Sequence, residues 1–329
     1  MTDSIIPVKS SGADDTQAIQ RAIDMASASA EGCVLLSGEY QITQPLQVGV
    51  SGADGCARIA SQSGAVLSFT GNKVDDYAIR FCGKTESPVT RLENISVRCN
   101  YRCRGVLLSG QTYGSIARNV LIWHPRQVGM DVIDCWGSSL ENIFVDFCYT
   151  GTPFRFYRFN AATATQLRAR GVSVTRSGGS YSSAISYGME NGGLEAAQEH
   201  FGDLRYDWPS DDDEACVGAT GRPWNPGIHS ASAVFIHTST GVLFDTLILE
   251  GCYYVDWPLV KIYSGSHGTR LHNVYIESCK TLKPLIEVDS DWNTISDVYY
   301  HPKTPIDGGI VVQASGTVGN TVHNIHSLK

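Results

Sequence analysis

Charge is scarce in this chain. Asp, Glu, Lys and Arg make up 18% of its 329 residues, and the formal net charge is −8. A sparse and net-acidic surface argues against general binding to nucleic acid or to anionic membranes. No apolar run reaches the roughly 20 residues of a membrane span. The N-terminus carries no basic-then-apolar leader. Hairpin signals such as Asn-Gly between alternating apolar runs are few, which speaks against an antiparallel sandwich. A CxxC pair, a histidine-rich cluster, a nucleophile elbow, a phosphate loop and a dinucleotide fingerprint are all missing. No metal site and no cofactor are therefore expected from motifs.

What the chain does have is a recurring phrase. Leu92-Glu93-Asn94-Ile95-Ser96-Val97 returns as Ala117-Arg118-Asn119-Val120-Leu121-Ile122 and as Leu140-Glu141-Asn142-Ile143-Phe144-Val145. It appears again as Leu271-His272-Asn273-Val274-Tyr275-Ile276 and as Val322-His323-Asn324-Ile325. Counted with Asn as position zero, the repeats fall at Asn94, Asn119, Asn142, Gly171, Thr246, Asn273, Asp297 and Asn324. The steps are 25, 23, 29, 75, 27, 24 and 27 residues, so the long one holds extra coils, a long loop, or both. Positions +1 and +3 are apolar in nearly every copy, which turns them inward and +2 and +4 outward on a strand. A second short strand precedes each phrase, as in Val106-Leu107-Leu108, Val234-Phe235-Ile236, Leu259-Val260-Lys261-Ile262 and Ile310-Val311-Val312. Short strands repeating at this period, with Gly, Ser, Asn and Thr between them, define a solenoid: coils stacked ~4.8 Å apart in a parallel β-helix. The general preference for right-handed crossovers makes it right-handed.

Ten cysteines in so long a chain do not require a disulfide framework. Cys148, Cys252 and Cys279 share position +6 and form a ladder of small buried residues, so free thiols are expected. A bridge between Cys99 and Cys103 across a turn is the exception to check. Residues 155–176 carry five arginines and no acid, a local basic stretch in an acidic chain.

Near the N-terminus, Ala18, Ile19, Ala22, Ile23 and Ala26 form one helical face behind Asp14 and Asp15, which suit a helix start. Such a helix covers the open end of a solenoid. The run Asp14-Asp15-Thr16, the helix, the strand Val34-Leu35-Leu36 and Gly38-Glu39-Tyr40-Gln41-Ile42 resemble the opening of the pectate-lyase-like superfamily. Tailspike depolymerases and rhamnogalacturonase-type hydrolases belong to it. Ser10-Ser11-Gly12-Ala13 is shorter than the Gly-Asp-Gly approach of many such proteins. The resemblance covers about 50 residues by motif and the rest by repeat pattern. It implies an all-β, single-stranded right-handed parallel β-helix with an N-terminal capping α-helix, acting on carbohydrate polymers. Residues 1–50 would be the cap and first strands, and 51–329 the β-helix with an irregular insertion at about 176–230. It also implies a homotrimer placed outside the cell or on a virion, with a polysaccharide partner and neither nucleic acid nor membrane.

Chemistry is expected on the outward columns. Position +4 reads Arg98, Trp123, Asp146, Thr175, Glu250, Glu277 and His301 down the stack. Beside it, position +2 contributes Tyr275 and Tyr299. Glu250 and Glu277 on adjacent coils, with Asp146 as a more distant partner, would supply acid and base or nucleophile for glycoside hydrolysis. Trp123, Tyr275, Tyr299 and His301 would line the groove. Trp208 and Trp224, in the insertion, would wall it. Singly, each acid reads as a solvated surface residue; the column as a set carries the expectation. A second column, Asp134, His237, Lys261, Tyr263, Glu287 and Asp289, is the alternative groove.

Two other functions compete. A polysaccharide lyase would use arginines such as Arg168, Arg170 and Arg176 to neutralise a uronate carboxylate. Tyr275, Tyr299 or His301 would then move the proton, and calcium could join such chemistry. The run Asp211-Asp212-Asp213-Glu214 lacks the glycine and spacing of a calcium loop. The third reading is a spike or adhesin that holds glycan without cutting it.

Overall fold

The computed structural model describes residues 5–28, 32–49, 57–73, 75–82, 90–112, 114–148, 152–158, 166–177, 232–254, 257–281, 283–301 and 308–328. Strand β1 (Ile5–Val8) and helix α1 (Thr16–Ser27) come first. They are followed by β2 (Cys33–Ile42), β3 (Leu46–Val48), β4 (Arg58–Phe69), β5 (Tyr77–Cys82) and β6 (Arg91–Arg98). Next are β7 (Arg104–Ser109), β8 (Ile116–Trp123), β9 (Val128–Ile133), β10 (Ser139–Asp146), β11 (Thr152–Tyr157) and β12 (Arg168–Thr175). Beyond residue 231 lie β13 (Val234–His237), β14 (Leu243–Glu250), β15 (Tyr253–Tyr254), β16 (Val260–Ile262) and β17 (Arg270–Glu277). The last are β18 (Lys280–Thr281), β19 (Ile286–Val288), β20 (Thr294–Tyr300), β21 (Val311–Gln313) and β22 (Thr321–Ser327).

These strands stack into a parallel β-helix. Sheet A runs β1-β2-β4-β6-β8-β10-β12-β14-β17-β20-β22, and sheet B runs β21-β19-β16-β13-β11-β9-β7-β5-β3. A two-stranded sheet, β15-β18, adds a third side. The strands of residues 1–50 are continuous with the rest, since β1 and β2 begin sheet A. β12 pairs directly with β14, Val172 opposite Leu247. Among the described residues, the 75-residue step therefore adds no strand to sheet A between β12 and β14.

The recurring phrase marks a bend. Asn94, Asn119, Asn142, Gly171, Thr246, Asn273, Asp297 and Asn324 all have φ between 53° and 71°. Only glycine, and less readily Asn and Asp, enters that left-handed region at low cost. The bend explains why −2 and +1 both face inward: Leu92 and Ile95 are 1% exposed on either side of it. Side chains at the bend also link the coils. Asn119 Nδ2 donates to Asn94 Oδ1 at 2.8 Å, and Asn142 Nδ2 to Asn119 Oδ1 at 3.0 Å. Asn273 Nδ2 reaches Thr246 Oγ1 at 3.0 Å, and Asn324 Nδ2 reaches Asp297 Oδ1 at 2.9 Å.

A second left-handed residue follows at +5, at His124, Phe147, Arg176, Gly251 and Ser278. It turns the chain so that Cys148, Cys252 and Cys279 point into the core. The eight described cysteines are free thiols, Cys99 and Cys103 among them. Helix α1 buries Ile19, Ala22, Ile23 and Ala26 over the first coil. Its N-cap, Asp15, makes no side-chain capping bond; the carboxylate accepts from Ser11 and Ser10 instead. Asp14 serves the helix start, accepting the Thr16 N–H at 3.0 Å. No helix among the described residues is long and apolar enough to cross a membrane.

Candidate functional site

The +4 residues of sheet A form one row, as their spacing predicts. Trp123 pairs with Asp146, Asp146 with Thr175, Thr175 with Glu250, and Glu250 with Glu277. At one strand spacing per coil, Glu250 and Glu277 have backbones ~4.8 Å apart, and Asp146 and Glu250 ~10 Å apart. Glu250 is exposed and Glu277 is half-buried. Neither enters an ion pair among the described residues. The Tyr275 phenol donates to Glu277 Oε2 at 2.7 Å. That bond, with some burial and the charges of Glu277 and Glu250, raises the Tyr275 pKa above its ordinary value.

Asp146 departs from expectation. It is fully buried rather than outward and solvated. Thr175 Oγ1 donates to Asp146 Oδ1 at 2.6 Å, and Arg176 holds both oxygens, Nε to Oδ1 at 3.1 Å and Nη2 to Oδ2 at 2.5 Å. The cause is local. Arg176 has φ 44°, at the +5 corner, and its guanidinium lies 4.0 Å from the centroid of the Phe147 ring. The arginine thus closes over the carboxylate from the next coil.

The expected basic stretch is dispersed in the same way. Arg155 is buried against Asp131, and Arg170 pairs with Asp245 at 3.5 Å. Arg170 lies at −1, on the far side of the bend from the acid row, in a ladder that also holds Arg118–Glu141 at 2.6 Å. Trp123 packs against Phe144 at 6.3 Å between centroids, and Tyr299 stacks on His326 at 5.0 Å. His301 follows the end of β20 in the same row and donates its backbone N–H to Ile276 O at 3.0 Å. Trp208, Trp224 and the run 211–214 lie outside the described residues.

Sheet B carries a second constellation. The strands β7, β9 and β11 are buried on both faces. On the side away from the main core, Tyr77, Leu107, Ile133, Tyr157 and Phe235 form their own cluster. Asp131, wholly buried, binds Arg155 Nε at 2.6 Å and accepts from the Tyr77 phenol. Further along, His237 and Tyr263 stack at 5.2 Å. Lys261 Nζ lies 5.4 Å from the Tyr263 ring, is ion-paired with Glu287, and is 4.0 Å from Asp289. Burial pushes His237 down to about 4, leaving a neutral imidazole at neutral pH. Asp134 is buried at 1% exposure, not available at an open groove. Among the described residues no three His, Cys, Asp or Glu side chains converge as metal ligands.

No protein-family model and no curated protein matches the chain. Solved structures with a similar chain path include ORF18 of Geobacillus virus E2, at 12% identity and TM-score 0.49, covering 96% of this chain and 59% of that one. An iota-carrageenase bound to iota-carrageenan fragments matches at 11% identity and TM-score 0.46, covering 96% and 58%. An alginate lyase from Paenibacillus sp. matches at 13% and TM-score 0.43, covering 98% and 97%. This chain therefore spans about three fifths of the length of the first two. At these identities the likeness is one of architecture.

Proposed function

We propose that the protein depolymerises a polysaccharide by glycoside hydrolysis along the +4 row of sheet A. The observation that carries this reading is the register of Glu250 with Glu277 on adjacent coils, with the Tyr275 phenol on Glu277. Carboxyl groups about 5 Å apart suit a retaining mechanism, in which one carboxylate attacks and the other protonates the leaving oxygen. Asp146, sealed by Arg176, is left out of the reaction and serves as a structural tie.

Lyase chemistry with these arginines is less well supported, because two of the three neutralising cations are engaged. Arg176 is bound to Asp146 and Arg170 to Asp245. One observation favours a second reading on sheet B: neutral His237 stacked on Tyr263 beside Lys261. There the imidazole would take the proton next to a uronate carboxylate and the phenol would return one to the leaving oxygen.

The two readings separate on a panel of neutral, sulfated and uronate-containing polysaccharides, iota-carrageenan and alginate among them, read for new reducing ends and for ultraviolet absorbance of an unsaturated uronate. Reducing ends without absorbance support hydrolysis. Both signals together support β-elimination and overturn the hydrolytic assignment.

A further inference from the structure

The turn leading into each sheet-A strand repeats with the coils. Its residue five before the bend has positive φ in every one of seven coils: Gly114, Gly137, Gln166, Gly241, Gly268, Trp292 and Gly319. Five of the seven are glycine, as a left-handed position requires. Gln166, at φ 26°, and Trp292, at φ 60°, are the departures, and Trp292 is the bulky one. A bulky aromatic in this region is an outlier that calls for an explanation. Folding does not provide one, because Trp292 is 65% exposed, more than any other large hydrophobic among the described residues.

The turn that carries the indole is nevertheless firmly mounted. Trp292 N donates to Val318 O at 3.0 Å, and Val318 N donates to Asp291 Oδ1 at 2.8 Å. Just behind it, the fully buried Asn293 donates Nδ2 to Ser290 O at 3.0 Å, and its backbone N–H goes to Asn320 Oδ1 at 2.8 Å. The ring lies on Gly319, where an added Cβ would come within 2.3 Å of Cε3. The glycine that the left-handed turn favours in the next coil thus leaves room for the ring. A tryptophan has only two side-chain torsions, so little conformational freedom is lost when a ligand settles on it.

We propose that Trp292 is a sugar-stacking platform, taking the apolar face of a pyranose ring of the polymer. Its substrate class rests on the polysaccharide reading above. The C–H groups of a sugar face suit the negative face of an indole. Asp291, and the exposed His267 in the same turn one coil earlier, supply polar neighbours for hydroxyl groups. Trp292 enters β20, whereas His301 and the acid row lie beyond its other end, on the order of 25 Å away along the strand. The platform therefore holds the polymer at a distance from the bond that is cut.

The test is affinity electrophoresis in native gels containing each polymer of the same panel, carried out in a Glu277→Gln background so that binding and cutting fail separately. Trp292→Gly is a gentle change, since glycine stands at this position in five sister turns, and its Tm should be unchanged or higher. At least one polymer should retard the parent. Trp292→Gly should weaken that interaction at least fivefold, and Trp292→Phe should keep most of it. No retardation of the parent by any of the polymers, equal retardation of parent and Trp292→Gly, or a lowered Tm in Trp292→Gly would overturn the proposal. Retardation that depends on Trp292 in a protein whose wild type cuts nothing would uphold the platform and sink the hydrolytic reading.

Discussion

Asn94 and Asn119 sit one coil apart, both in the left-handed region, and the amide of one donates to the amide oxygen of the other at 2.8 Å. The same residue type thus meets two demands, a bend in each coil and a bond to the next. Asn119→Ala should lose both and cost about 1–2 kcal/mol, while Asn119→Gly, which keeps the backbone at ease, should cost less. Urea unfolding of the two variants checks the order; equal losses would mean that the bend itself is not limiting.

Arg176 covers a carboxylate that has no exposure of its own. Replacing it by methionine leaves Asp146 buried and unpaired, which should cost about 3 kcal/mol. Thermal unfolding of Arg176→Met reads this as a fall of several degrees. An unchanged Tm would show that Asp146 finds water or another partner, and would reopen its place among the groove acids.

His237 sets a direction for pH. Its folded pKa, about 4, lies below the ordinary value of 6.5. Between these values the unfolded chain binds the proton and the folded one does not, so stability falls as pH drops from 6.5 towards 4. The contribution is discounted because the ring is only half-buried. His237→Gln should flatten the stability profile in that window, measured against wild type by urea unfolding at several pH values. A profile of unchanged slope would contradict the burial of a neutral imidazole.

The thiols are protected. Burial pushes Cys135 up to about 12 and raises Cys148 further, so neither forms a thiolate near neutral pH. In the native protein, alkylation followed by peptide mapping should leave Cys135, Cys148, Cys252 and Cys279 unmodified, and unfolding should expose all four. Rapid native labelling of any of them would contradict their burial.

Much of this architecture is written in the order of residues. The bend positions follow from Asn94 to Asn324, and Gly171, Thr246 and Asp297 fit because each has φ above 50° in the folded chain. Alternation also places Glu250 beside Glu277. It does not reveal the fate of Asp146, because the count of inward and outward positions knows nothing of a guanidinium folding back from the next corner. The Asp131–Arg155–Tyr77 cluster is equally hidden, since its members come from three coils and lie 24 and 54 residues apart. Trp292 was within reach. Five residues upstream of the eight bends, the same count gives glycine in five coils and valine, glutamine and tryptophan in one each.

The pairing of Glu250 with Glu277 is tested most directly by reducing-end release from the polysaccharide panel, measured for wild type, Glu250→Gln and Glu277→Gln at matched Tm. Loss of general acid–base or nucleophilic catalysis should lower the rate about 100-fold or more in each variant. Two variants as active as the wild type would place the chemistry elsewhere and contradict the account.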